Sequence, residues 1–317
     1  MSQRCLITGI SGFLGSHLAD LLVSQGLEVW GTVRQKSPSN LAHLKGKLKV
    51  VSCDLRDAQT VQEAVALSRP DCVFHLAGQT SVPRSWAEPL ETYQINLMGT
   101  QHLLAATAAF SPSPVVVLAS TMSVYGFTPP EALPITEDRP LRPASPYAAS
   151  KAAAELASLP FLYSGKLRVV HVRPFNLTGP RKRGDAAWLF ASRMLEVEAG
   201  RSPEMRLAPP VTVRDFTDGR DAAAALWILA TRGASGEAYN LCSGQGRVMR
   251  EILDMVLACA RGLVPVVYDP ALSRVVDEPA NFGDNNKLRA LGWSPRIPLE
   301  QTLRDLVEEL RMASPPV

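Results

Sequence analysis

The sequence predicts an α/β protein: a doubly wound parallel sheet followed by a smaller α/β domain interwoven with it. Three observations carry that prediction. Short, continuously apolar runs alternate with helical patterns through residues 1–176, as parallel strands buried on both faces and joined by crossover helices should read. A glycine-rich turn, "TGISGFLG", follows the first apolar run and opens the first helix. After residue 176 the rhythm breaks, and Pro- and Arg-rich stretches separate the remaining elements.

Taken in order, "CLIT" at 5–8 reads as a buried strand. "FLGSHLADLLVSQG" at 13–26 puts Leu14, Leu18, Leu21 and Leu22 on one helical face and closes with a glycine. Strands are expected at 28–33, 48–55, 71–78, 115–121 and 167–174, with helices at 58–67, 90–109 and 145–159. Beyond 176 the pattern gives a helix near 186–199, a returning strand at 237–244 and a helix at 249–260. An irregular Pro-rich stretch at 263–298 and a helix at 299–311 follow, and the Pro-containing last residues are expected to be disordered. The expected division is 1–176 plus a returning segment about 212–245 for the dinucleotide-binding domain, and 177–211 with 246–311 for the substrate domain.

The bulk numbers exclude several classes. With 46% apolar and 20% charged residues and a net charge of +3, the chain is an ordinary globular one with no nucleic-acid signature; "RKR" at 181–183 is its longest basic run. Five scattered cysteines without ligand spacing read as core thiols in a reducing compartment, and no metal site is expected. No run approaches 18 apolar residues, and the N-terminus enters a strand rather than a signal peptide, so no membrane partner and a cytoplasmic location are expected.

The glycine turn gives the sheet its Rossmann character. Gly9, Gly12 and Gly15 lie between a strand and a helix, where they allow a tight turn, close approach of a pyrophosphate and close helix packing; Ser11, Phe13 and Leu14 belong to the same loop. The second strand ends in "GTVRQKS", with Arg34 and Lys36 but no carboxylate to accept from a ribose 2′-hydroxyl. Arg34 suits a 2′-phosphate, so NADP(H) is favoured, with NAD(H) possible. Asp54 and Leu55 follow the third strand, beside an adenine. Leu76, Ala77, Gly78 and Gln79 follow the fourth, beside the cofactor.

Tyr147 and Lys151 are four residues apart on one helical face. A neighbouring ammonium favours phenolate, so Lys151 is expected to lower the Tyr147 pKa and to bind the nicotinamide ribose as well. Tyr147 would exchange a proton with a sugar oxygen as hydride moves, and the Thr121 hydroxyl would hold the same oxygen.

Together these motifs resemble the extended short-chain dehydrogenases/reductases, the nucleotide-sugar epimerase/dehydratase superfamily. TGxxGFxG, "LAG" after the fourth strand, Asn96 in "INLMGT", the Thr/Ser before "VYG", YxxxK and "RPFNLTGP" occur in order across essentially the whole chain. The resemblance implies that Thr121, Tyr147 and Lys151 are the catalytic triad, that Asn96 joins the cofactor contacts and that Asn176 touches a substrate diphosphate. It also implies a homodimer formed by the helices at 90–109 and 147–163. Dehydratases of the superfamily place a Glu, or an Asp–Glu pair, just after the triad Thr, to remove water from the sugar. Here those positions are Met122 and Ser123, and Met transfers no proton, so dehydration is disfavoured.

The C-terminal half, with "VRDFTD", "YNLCSG" and "DEP", resembles the GDP-sugar branch. That implies NADPH-dependent reduction of the 4-keto group of a GDP-6-deoxy-4-ketohexose. The alternative is a nucleotide-sugar 4-epimerase holding NAD tightly; a non-enzymatic dinucleotide sensor is a third reading, opposed by the intact triad. Arg214 and Arg274 would clamp the nucleotide-sugar diphosphate. Ser81, Arg84, Ser85 and Ser123 would hold sugar hydroxyls, and Asp215 and Asp218 would serve as substrate or helix-capping carboxylates.

Overall fold

A computed structural model describes residues 3–34, 39–110, 113–273 and 278–313. Lys36, Arg274 and the C-terminal tail 314–317 therefore lie outside the described residues.

Six strands follow the expected course: β1 (Arg4–Thr8), β2 (Glu28–Val33), β3 (Lys49–Ser52), β4 (Cys72–His75), β5 (Val115–Ala119) and β6 (Arg168–Pro174). With Ala238–Leu241 they form a seven-stranded sheet. From that returning strand its order is β6, β5, β4, β1, β2, β3, and every pairing is parallel. The order reverses between β1 and β4, which opens a crevice beyond the carboxyl ends of the strands. β4 and β5 are buried along their whole length, because helices cover both faces. On one face α1 (Phe13–Ser24) and the helix Gly219–Arg232 pack around Leu18, Leu22, Ala222 and Leu226. On the other, Ala58–Ser68 and Gly99–Ala108 pack around Val61, Val65, Leu103 and Leu104.

A separate apolar cluster joins helices Ala186–Glu198, Met249–Leu257 and Leu299–Ala313 through Phe190, Met194, Ile252, Leu303 and Leu306. Short strands knit this part to the main sheet: Val213–Asp218 pairs in parallel with Asn176–Thr178, which directly follows β6. No helix among the described residues is long and apolar enough to cross a membrane.

Three elements depart from the expectation. The helix expected over 90–109 is interrupted: Pro89–Tyr93 and Gly99–Ala108 flank a π-turn at Gln94–Met98. The strand Val213–Asp218 and the helix Gly219–Arg232 were expected only as part of a returning segment. The run "DAAAALWILA" is apolar nearly all round, so it has no distinct stripe to read; in the structure it is buried between α1 and the sheet. Asp218 caps that helix, accepting from the Arg220 backbone N–H at 2.7 Å, which is the capping role expected for it.

Candidate active site

A cavity of about 800 Å³ lies at the carboxyl ends of β1, β2, β4, β5 and β6. One end is the glycine loop. Gly9 adopts φ +70°, and a Cβ on Gly15 would lie 2.4 Å from the Gly9 carbonyl oxygen, so helix and loop approach as only glycine allows. Gly12 caps α1 with no side-chain hydrogen bond, and the helix has no acidic residue in its first turn. Its leading amides are thus left to a ligand, as a diphosphate requires. Ser11, Phe13 and Leu14 complete this wall. Arg34, exposed at the end of β2, lines the cavity with Asp54 and Leu55, and its charge helps to hold the Asp54 carboxyl below its usual range; the larger cause is the hydrogen-bonded Arg56 guanidinium. Cavity size, free amides and a cation at the adenosine end fit a nicotinamide dinucleotide.

Leu76, Ala77, Gly78 and Gln79 form the next wall. A buried polar chain fixes their path. The Thr8 hydroxyl accepts from the Leu76 and Ala77 amides, each at 3.1 Å, so its own proton goes to His75 Nδ1 at 2.8 Å. The Thr100 hydroxyl donates to the Asn96 carbonyl at 2.6 Å, and His75 Nε2–H donates to Thr100 at 3.0 Å. These bonds set the histidine tautomer. Burial, with the Lys151 charge adding to it, pushes the His75 pKa down to about 3, so the ring stays neutral.

Thr121, Tyr147 and Lys151 meet at the other end, all buried and all lining the cavity. Thr121 follows β5; the other two lie on the first turns of Pro146–Tyr163, whose N-cap, Ser145, accepts from the Ala148 amide at 3.1 Å. Lys151 Nζ donates to the Ala119 carbonyl at 2.6 Å. The expected sign of the Tyr147 shift is corrected here. Burial pushes the phenol above its ordinary value, opposed only in part by a hydrogen bond with Thr121. The same burial brings Lys151 down to about 8, with Glu155 one turn away opposing it. Desolvation is the largest cause of both shifts, and the ammonium is turned to the Ala119 carbonyl.

Of the remaining expected contacts, Ser81 and Arg84 line the cavity, but Arg84 is held in ion pairs with Glu88 and Glu91. The others lie outside its wall. Ser85 is fully buried and donates to the Val82 carbonyl at 2.7 Å. Asn96, on the π-turn, bridges the Gln79 backbone, accepting from its N–H at 2.8 Å and donating to its carbonyl at 2.9 Å. It positions the cofactor wall rather than forming it. Ser123 donates its amide N–H to Thr121 Oγ1 at 3.2 Å and its hydroxyl to Met122 Sδ at 3.4 Å. Asn176 donates to the Asp215 carbonyl at 3.0 Å, and Arg214 to the Val213 carbonyl at 2.8 Å. Asp215 is tied to Ser243 and Gly244 through its own carboxylate. Phe175 and Leu177, in the "RPFNLTGP" run expected to follow a strand into the crevice, line the cavity; sequence reasoning missed Lys182, which "RKR" marked only as part of a basic run.

A free helix N-terminus on a doubly wound sheet, sharing one cavity with a buried Tyr–Lys pair, defines a nicotinamide-dependent enzyme of the extended short-chain dehydrogenase/reductase type. The family model described as GDP-mannose 4,6 dehydratase matches residues 6–306, and the chain belongs to that family. It is 33% identical over 314 residues to GDP-6-deoxy-D-mannose reductase of Pseudomonas aeruginosa, covering 98% of this chain and 97% of the relative. Among solved structures, RMD from Pseudomonas aeruginosa complexed with NADPH superposes with a TM-score of 0.85 at 31% identity, covering 99% of each chain. The Thermus thermophilus UDP-glucose 4-epimerase in complex with NAD gives 0.86 at 32%, covering 98% of this chain and all of that one.

Proposed function

We propose that this enzyme reduces the 4-keto group of a GDP-6-deoxy-4-ketohexose with NADPH. The observation that carries the reading is the triad without a following carboxylate. Thr121, Tyr147 and Lys151 share one cavity, whereas the two positions after Thr121 hold Met122 and Ser123. Met122 Sδ faces the Ser123 hydroxyl at 3.4 Å and the Asn281 amide at 3.9 Å. Nothing in that pair removes a sugar proton and expels a hydroxyl, but a ketone needs neither. The reductase likeness in Pseudomonas aeruginosa supports the same choice, and Arg34 on the cavity wall supports NADPH over NADH.

When bound, the reduced cofactor supplies the hydride that reaches C4. Tyr147 gives its phenolic proton to O4, so that C=O becomes HC–OH. Thr121 orients that oxygen. Lys151 stabilises the phenolate until solvent returns the proton. The raised Tyr147 pKa suits this direction, because the phenol is protonated at neutral pH. Free thiols at all five cysteines support a reducing, cytoplasmic setting, and the exposed Leu90, Met98 and Leu156 on the helices expected to pair support a homodimer.

The test is to mix enzyme, NADPH and GDP-4-keto-6-deoxymannose and follow loss of the nicotinamide absorbance. Stoichiometric oxidation supports the reading; none, with NAD released only on denaturing the purified protein, overturns it in favour of a 4-epimerase. That second reading is supported by the NAD-bound epimerase likeness and by the same triad.

A further inference from the structure

The turn that begins at Thr121 runs through Met122–Tyr125 and on to Thr128. Its own segment holds it in the middle: the Val124 carbonyl accepts from the Arg142 amide at 2.8 Å, and the Phe127 carbonyl from Arg139 Nη2 at 3.0 Å. Residues 278–284 reach it from the C-terminal half. Ala280–Asn281 pairs in parallel with Val213 and Arg214 of the strand Val213–Asp218. On the other side the Ile135 amide donates to the Phe282 carbonyl at 3.0 Å, and the Asp284 amide to the Ile135 carbonyl at 2.8 Å. The segment is thus paired on two sides, a firm base from which a side chain can act on the turn.

Glu278, half-buried where the chain enters this base, reaches across to the turn. Its Oε1 accepts from the Thr128 amide at 2.8 Å, and its Oε2 from Asn281 Nδ2 at 2.7 Å. Asn281 Nδ2 also lies 3.9 Å from Met122 Sδ. One carboxylate therefore ties down the far end of the turn directly, and the residue next to Thr121 through one intermediary. Asn281 is buried, and its Oδ1 has no hydrogen-bond partner. An orphaned buried acceptor costs stability and calls for an explanation. Here the amide is kept from turning over, because Oδ1 would then stand against Glu278 Oε2, acceptor against acceptor. The arrangement forgoes a bond to keep the geometry of the turn, as a site does where position counts for more than stability.

We propose that Glu278 is a positioning residue for the reaction: by holding Thr128 and Asn281 together it sets the turn that carries Thr121 against the oxygen on which Tyr147 acts. It works through the turn and not on the reacting atoms, since each of its oxygens already faces a protein donor. The inference rests on the reading of Thr121 as the group that orients the reacting oxygen. It applies to a ketone reductase and to a 4-epimerase alike.

The experiment compares the native protein with Glu278→Ala, Glu278→Gln, Asn281→Asp, and Glu278→Gln combined with Asn281→Asp. Activity is read as NADPH oxidation with GDP-4-keto-6-deoxymannose, or as 4-epimerisation of UDP-glucose if the native chain does that instead, well below each melting temperature. Calorimetry gives the Kd for NADPH or NAD. Glu278→Ala unties both donors, and Asn281→Asp sets two carboxylates against each other. Each should lower kcat about ten- to a hundredfold, the scale of a small misplacement of a reacting group, with the KM for the sugar nucleotide and the cofactor Kd little changed. In Glu278→Gln the new amide can accept from Thr128 and donate to Asn281 once that amide turns over, so kcat should stay near native. In the double variant the new amide donates to the new carboxylate, and kcat should recover most of what Asn281→Asp loses. A native kcat in Glu278→Ala overturns the proposal, as does a double variant no better than Asn281→Asp. So does a loss carried by KM and cofactor Kd in step with the melting temperature, which would leave Glu278 a structural residue only. A native chain that catalyses neither reaction overturns the role given to Thr121 and this inference with it.

Discussion

At the residue scale, Tyr147 and Lys151 are shifted by one cause in opposite senses. Burial disfavours the charged form of each, so the phenol goes up and the ammonium comes down to about 8. Reduction needs both in their protonated forms. The rate kcat/KM for ketone reduction should therefore be flat near neutrality and fall as pH rises through about 8, where Lys151 loses its charge. A profile flat across that alkaline range would refute this. The same shift bears on stability. Between the folded value of about 8 and the ordinary 10.5, the unfolded chain holds more protons, so folding becomes more favourable as pH rises across that window. Below pH 8 the buried charge opposes folding by at most about 3 kcal/mol, 2.5 units at 1.36 kcal/mol each. Lys151→Met should raise the melting temperature of the nucleotide-free protein near neutral pH, with the gain gone by pH 10.5. Tyr147→Phe removes only the proton donor. It should lower kcat by about 10²–10⁴-fold, read by nicotinamide absorbance, while the Kd for NADPH stays put.

At the element scale, the helix Pro146–Tyr163 is fixed to β6 by a buried ion pair. Arg173 donates from Nη2 and Nε to Glu155 at 2.7 and 3.2 Å, and from Nη1 to Tyr125 at 2.9 Å; Tyr125 passes its proton to Asn240 at 2.7 Å. The turn after Thr121, the triad helix and the returning strand thus share one network. Arg173→Met strands Glu155 and should destabilise by about 3–5 kcal/mol, whereas Arg173→Met with Glu155→Leu should recover most of it; denaturant unfolding reads both. The double variant should also move the alkaline limb of activity to lower pH, because Glu155 supports the Lys151 charge. This network shows where sequence reading stops. The glycine loop, the end of β2 and Tyr147 with Lys151 are legible because each is a run of a few residues on one element. Arg173 looked like an ordinary strand terminus, and its partners stand 18 and 48 positions away. Asn96 carried a motif, but the π-turn that aims it at Gln79 has no composition of its own. Lys182 could be seen as a charge but not as a cavity residue, since its place is set by anchors on α1 and on the last helix.

At the scale of the whole molecule, the glycine loop, the end of β2 and the triad line one cavity. The outer side of the triad helix still exposes apolar groups: Leu156 is 59% and Tyr163 80% exposed, seven residues apart on one stripe, and Leu90 on the neighbouring helix is 77% exposed. Such a surface is what a two-fold helix pairing would bury. If it does, Leu156→Arg places a charge in the middle of that contact and should weaken dimerisation by about a hundredfold or more, the scale of an interface hot spot. Light scattering during size exclusion would then show a dimer for the native chain and a monomer for the variant at micromolar concentration. Leu263→Arg, at a residue 93% exposed but far along the chain in the C-terminal part, is the control and should stay dimeric. The monomer should keep its Kd for NADPH, because the glycine loop and β2 lie on other elements. Its kcat should fall severalfold, because the helix that carries Tyr147 and Lys151 has lost its outer support. A native chain that is monomeric across that range would leave these leucines without the partner assigned to them, and would end the dimer reading.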